Sequence, residues 1–260
     1  MKLIQTAERV AHTDASDNVI YQRSLLAYLE TANIIHGKVL EIGTGSGYGL
    51  SLIASKVDKL VTIDKHKTNI SLPPSEANKV EFIQMNIPPL TGIADNEFDF
   101  VITFQVIEHI QDDKKFVSEI FRVLKNKGKL IVTTPNSPMS LTRNPWHVRE
   151  YTSTELKQLL EAKFQSVKAL GVFGNEKAMN YYAKNAEAVR KITRFDILKL
   201  QYRLPRWLLQ IPYDILNRLN RKKLLNQNQA LVSDITHHDY HLSEANDTCF
   251  DLFYIAEKSV

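Results

Sequence analysis

The sequence is short of several things, and each shortage narrows what the chain can be. It has a single cysteine, Cys249, so no disulfide can close within it, and a reducing, cytoplasmic setting is expected. No stretch approaches the roughly 20 apolar residues that a membrane-spanning helix needs. The opening, MKLIQTAERVAHT, carries only a brief apolar patch before turning polar, unlike a secretory signal. Internal repeats and low-complexity tracts are missing, which excludes repeat architectures.

What is there suits a folded enzyme-sized unit. The 260 residues are 43% hydrophobic and 24% charged, enough for one generous domain or one domain with an insertion. The formal net charge of +4 conceals an asymmetry. Residues 175–230 hold twelve Lys and Arg against four acids, a local net of +8 that leaves −4 for the remainder. Such a contrast marks a segment with a surface role of its own.

Short, nearly continuous apolar runs recur through the first two thirds: KVLEI (38–42), KLVTI (59–63), KVEFI (79–83), FDFVITF (98–104) and GKLIVTT (128–134). Runs of that kind fit parallel strands buried on both faces. Between the last two, DDKKFVSEIFRVLKNKG places Phe116, Ile120 and Leu124 on one helical face, and a helix reaching Gly128 is expected. A loop rich in Pro, Asn and Ser follows, TPNSPMSLTRNPWHVREY, then a T-x-x-E capping box at Thr152–Glu155 opening another helix. SVKALGVF (166–173) and CFDLFYIAEK (249–258) read as the sixth and seventh strands. The expected fold is α/β: a Rossmann-like, seven-stranded, mostly parallel sheet flanked by helices, with the last strand antiparallel.

Residues 174–248 break the alternation and read as a basic helical insertion, a cap, between the last two strands; 1–173 and 249–260 form the main domain. The insertion is interrupted at Pro205 and Pro212. Leu208, Ile211, Ile215, Leu216 and Leu219 make an apolar stripe opposite Arg218, Arg221 and Lys222. HHDYH (237–241) offers histidines without a clear ligand set, so a surface or packing role is expected.

The chemistry concentrates in VLEIGTGSGYG (39–49). A buried strand ends at an acid, Glu41, and Gly43, Gly45 and Gly47 follow at alternate positions before a helical run. Glycines there allow a tight turn and close approach of backbone to a ligand. The spacing is not that of the dinucleotide pattern G-x-G-x-x-G. Asp64, closing the second strand, can accept hydrogen bonds from two ribose hydroxyls.

This pattern, with FDFVITFQVIEHI and EIFRVLKNKGKLIVTTPN after it, resembles the class I S-adenosylmethionine-dependent methyltransferases, nearest in look to the ubiquinone-biosynthesis O-methyltransferases and uncharacterised bacterial relatives. The resemblance covers about residues 20–170 and the final strand. It implies S-adenosylmethionine as cofactor, with Gly43, Thr44, Gly45 and Gly47 bordering its amino-acid part and Glu41 orienting that loop. Asp64 would hold the ribose, Lys65 would lie beside the adenine, and Gln105 would line the methionine moiety. The family commonly has Asp after the third strand; here Asn86 stands there, and its side-chain oxygen and the amide of Ile87 can still meet the adenine.

Glu108 and His109, after the fourth strand, and His147, after the fifth, fall at the carboxyl edge of the sheet. Their placing resembles the metal-binding set of the small-RNA 2′-O-methyltransferases. Gln105, however, occupies the position of that family's first metal-binding glutamate, so no metal is expected. His147 and His109 are instead candidate general bases. The expected reaction is methyl transfer to a small-molecule or lipid-linked acceptor, anionic if the basic cap recognises it, and most simply to an oxygen. Nucleic acid, with an RNA 2′-O-methyltransferase activity, peripheral membrane contact through the cap, and a non-catalytic cofactor-binding role are the alternatives.

Overall fold

Strands that are apolar on both faces must be covered on both faces, and the computed structural model shows how this chain does it. It describes residues 10, 13–68, 70, 72–196 and 198–259; most of the opening stretch read above for a leader lies outside them. The chain runs through α1 (Asn18–Ala32), β1 (Lys38–Ile42), α2 (Leu50–Ala54), β2 (Lys59–Asp64), α3 (Pro74–Ala77) and β3 (Val80–Gln84). It continues with β4 (Phe98–Phe104), α4 (Asp113–Val123), β5 (Leu124–Pro135), α5 (Ser153–Glu161) and β6 (Ser166–Gly174). Next come α6 (Glu176–Thr193), α7 (Leu200–Arg203), α8 (Arg206–Gln227), α9 (Gln229–Asp234), β7 (Tyr240–Glu244) and β8 (Asp251–Glu257).

The strands form one sheet in the order β3-β2-β1-β4-β5-β8-β6-β7. β3 to β5 pair in parallel, β8 runs antiparallel between β5 and β6, and β7 pairs antiparallel on β6. Alternate residues feed two cores. Leu40, Ile42, Leu130 and Val132 pack with Phe116 and Ile120 of α4 and Leu156 and Leu160 of α5. Val39, Phe100, Ile102 and Ile131 face the other way, toward Leu26 of α1 and Ile53 of α2.

Three expectations need correction. The sheet has eight strands, not seven, because β7 lies inside the stretch read as wholly helical. It is a short edge strand on which only Tyr240 is buried, so its sequence carries too little apolar alternation to be seen. α4 stops at Val123 instead of reaching Gly128. The amides of Asn96 and Glu97 take the carbonyls of Arg122 and Val123, and Leu124, fully buried, already pairs with Phe98. Pro212 does not interrupt the insertion: α8 continues through it, while Pro205 caps its start. The capping box of α5 forms as read, Glu155 N–H donating to Thr152 Oγ1 and the Glu155 carboxylate accepting from Thr152 N–H.

Candidate functional site

β1 ends at Ile42, and the chain then turns through Gly43, Gly45 and Gly47, whose φ values of 97°, 56° and 77° lie in the left-handed region. A Cβ on Gly43 would run into the Val106 side chain, whereas one on Gly45 would meet no atom within 4 Å. The loop therefore presses against the segment after β4 and opens to solvent at the carboxyl edge, where ligands bind in such sheets. Its shape is fastened from β2. Asp64 Oδ2 accepts from Gly45 N–H at 2.9 Å, Oδ1 accepts from His66 N–H at 2.8 Å, and Thr44 Oγ1 lies 2.6 Å from Thr62 Oγ1.

Beneath the loop, Glu41 is buried and its carboxylate accepts from Tyr28 O–H at 2.8 Å and from Thr62 O–H at 2.5 Å. Burial pushes this carboxyl up to about 7; the hydrogen bonds from Thr62 and Tyr28 hold it lower than burial alone would, and the neighbouring Asp64 charge adds to the rise. A cation placed at the loop above would pull this carboxyl back toward its ionised form.

Gln105 follows β4 with φ 56°, a strained conformation for a residue with a side chain. Its N–H donates to Thr133 O at 2.9 Å, and its side-chain amide reaches Thr133 Oγ1 at 3.4 Å, near enough to Asp251 to favour that residue's charged form. Asp251 is buried at the start of β8 and pairs with Arg23 of α1 at 2.8 Å; burial raises its carboxyl, opposed by Arg23 and then Gln105. Lys65 and Asn86 are exposed and Ile87 half-buried beyond β2 and β3; Met85 N–H donates to Asp64 O at 3.0 Å, which sets Asn86 one residue from the end of β2. The sequence-predicted cofactor residues thus share one rim, from Asn86 through Asp64 and the glycine loop to Gln105.

A cavity of about 620 Å³ opens between α6, α7 and α8 and the loop after β5; none of the sequence-predicted cofactor residues lines it, and Arg23, the partner of Asp251, is in its wall. Pro135 and Asn136, at the carboxyl end of β5, line it together with Arg23, Tyr181, Tyr213 and His147. His147 Nδ1 lies 2.7 Å from Glu150 Oε1, and Nε2 lies 2.8 Å from Asn144 Nδ2. A carboxylate only accepts and an amide nitrogen only donates, so Nδ1 carries the proton and Nε2 the lone pair. His109 does not line the cavity. Its ring meets His147 edge to face, centroids 5.0 Å apart, and its Nδ1 lies 3.1 Å from Trp146 O. Trp146, Arg149 and Tyr151 also stay off the cavity wall: the indole donates to Asp214 of α8, and the other two bond Asp113.

Known proteins are similar to this chain in sequence and in fold. A family model described as a methyltransferase domain matches residues 40–132. A "Probable S-adenosylmethionine-dependent methyltransferase" of Mycolicibacterium smegmatis is 38% identical over 175 residues, covering 65% of this chain and 68% of its own. The chain belongs to the S-adenosylmethionine-dependent methyltransferases. The ubiquinone biosynthesis O-methyltransferase of Rickettsia conorii is 26% identical over 136 residues, 50% of this chain and 46% of that protein. In fold, this methyltransferase is similar to one from Thermotoga maritima, with a TM-score of 0.53 at 15% identity, over 93% of this chain and 92% of the other.

The glycine loop, open above Gly45 and floored by a buried acid, fits S-adenosylmethionine. The candidate metal set is a different matter. Atoms of Glu108, His109 and His147 come within 4.8 Å of one another, but Glu108 Oε2 accepts from Thr134 O–H at 2.9 Å and the His147 lone pair is met by Asn144. Gln105, which the resemblance put in place of a metal-binding glutamate, turns its amide toward Thr133 Oγ1. The histidines at 237 and 238 sit in a short helical turn in which Asp239 caps Thr236. Sequence reasoning missed Tyr28, Asn144, Glu150 and Asp251. Two left a signal: Glu150 follows His147 by three residues, and Asp251 is an acid in an apolar strand, as Glu41 is.

Proposed function

We propose that this methyltransferase moves a methyl group to an oxygen of a small-molecule or lipid-linked acceptor held under the cap. The observation that carries the reading is the Glu150–His147 pair in the cavity wall. When bound, S-adenosylmethionine supplies a methyl group on a sulfonium, already activated for in-line displacement. The protein has then to position the acceptor, exclude water and take one proton. Glu150 keeps the proton on Nδ1, so Nε2 is the basic nitrogen; an acceptor hydroxyl that displaces the Asn144 amide hands its proton there. His109, packed on the imidazole, holds the ring in place. Apolar walls from Leu209, Val189 and Met139, broken by Asn185 and Tyr182, suit an acceptor with both polar and apolar parts.

The test uses S-adenosylmethionine carrying a carbon-13 methyl group, incubated with aqueous and lipid extracts of cells. A labelled product whose methyl resonance lies in the oxygen-bound region is expected. His147→Asn should lower turnover by about 10²–10⁴-fold and leave cofactor affinity within a few-fold. A methyl found on nitrogen or carbon, or turnover untouched by the substitution, overturns the proposal.

A further inference from the structure

α8 is oriented against its own amphipathicity. Its polar side packs inward: Asn220 and Arg221 are buried, Arg221 Nη1 bonds Asp17 Oδ1 at 2.9 Å, and Arg218 reaches Asp14 and Asp17 at 3.3 Å. The apolar stripe is left outside. Trp207 is 70% exposed, Ile211 71%, Ile215 55% and Leu219 60%. These positions recur at helical spacing on one face, and Phe195, Leu198 and Tyr202, in and before α7, are exposed as well. A soluble monomer rarely shows so contiguous an apolar surface without a partner for it.

The charges around the stripe say which partner fits. Arg203 lies one turn before Trp207, and Lys222 and Lys223 lie one turn beyond Leu219; all three are exposed. Arg194 and Lys199 are exposed nearby, while three acids of the same segment are engaged: Asp214 with Trp146, Asp196 with the amides of Leu200 and Gln201, and Glu187 with Lys191. We infer that the outer face of the cap docks on an anionic lipid bilayer, the stripe entering the interface and the flanking cations meeting lipid phosphates. A second copy of the chain would set these cations against one another across a two-fold axis. Ile192, Phe195, Leu200 and Leu216 are both exposed and part of the cavity lining, so docking puts the cavity mouth at the membrane. That delivery of a lipid-linked acceptor rests on the proposed function; docking itself does not.

Vesicles of phosphatidylcholine, with or without phosphatidylglycerol, test this with the full chain. The protein should co-sediment with the anionic vesicles only, release as salt is raised, and shift its tryptophan emission to the blue, a shift lost in Trp207→Phe. Near an anionic surface each cation is worth about fivefold in partitioning. Lys222→Glu with Lys223→Glu should therefore cost about 25-fold or more, and Trp207→Ser with Ile211→Ser and Ile215→Ser should abolish binding. Cofactor affinity should stay within a few-fold in all variants. Wild-type protein that ignores anionic vesicles, or variants that bind as well as it does, overturn the inference. So does a wild-type dimer in sedimentation that the serine variant turns into a monomer, since the stripe is then a contact between copies.

Discussion

At the scale of single residues, Glu41 is the group whose environment most changes its chemistry. Its carboxyl titrates near 7 in the folded protein and near 4.5 in an unexceptional setting. The folded chain holds this proton more tightly than the unfolded chain, so the Glu41 contribution to stability falls as pH rises through that window, by roughly 3 kcal/mol in all. Urea unfolding of wild type and Glu41→Gln at a series of pH values isolates the term: the difference between them should change between pH 4.5 and 7 and level off outside it. A constant difference would show that Glu41 ionises normally. Asp64 is the second test. Replacing it by Ala removes a charged partner of the Gly45 amide and the expected ribose acceptor. Hydrogen bonds to charged groups are each worth about 1.5–3 kcal/mol, so cofactor affinity should drop by about 100-fold or more. Calorimetry that finds affinity unchanged removes Asp64 from the site.

Among the elements, α8 is tied to the fold by a buried charge cluster as well as by Leu224 in the core. Asp17, fully buried before α1, takes Arg221 and Arg218 from α8, and α9 closes the junction through Asn18, whose amide donates to Val232 O and Ile235 O. Removing Arg221 strips buried Asp17 of its shorter ion pair and leaves the 3.3 Å contact with Arg218, at a cost of up to about 3–5 kcal/mol, whereas replacing Arg221 and Asp17 together by apolar groups costs far less. Arg221→Met should therefore lower the urea midpoint markedly, and Asp17→Leu added to it should restore much of the loss. Additive losses would mean that the two side chains are not coupled. The same packing explains why deleting the whole insertion would be a poor probe of the cap. It would take β7 and the partners of Asp17 with it. α4 shows the converse, an element shortened by its neighbours: Lys258 Nζ donates to Phe121 O at 2.8 Å and Leu124 O at 2.6 Å, closing the helix from β8 onward.

For the molecule as a whole, the candidate metal set of Glu108, His109 and His147 offers one carboxylate and two imidazoles, poor in the oxygen ligands that Mg²⁺ and Mn²⁺ favour. Turnover after dialysis against EDTA should match that of untreated enzyme; activity lost and then restored by Mg²⁺ or Mn²⁺ would make Glu108, His109 and His147 ligands. Among the described residues no helix is long and apolar enough to cross a membrane. Much of this architecture could be read from the chain alone, because local signals carry it: buried strands have continuous apolar runs, Thr152 and Glu155 form their own cap, and only glycine sits easily at the positive φ of the loop after β1. The family and its cofactor follow from that loop and Asp64, which are close in sequence. What the chain could not show are contacts between distant residues. β7 exists because β6 offers an unpaired edge, and the His147 tautomer depends on Asn144 and Glu150 folding around it. The outward turn of the α8 stripe was decided by Asp17, some 200 positions away. Burying one carboxylate with its arginines fixed which face of the helix met the protein, and so which face was left for the surroundings.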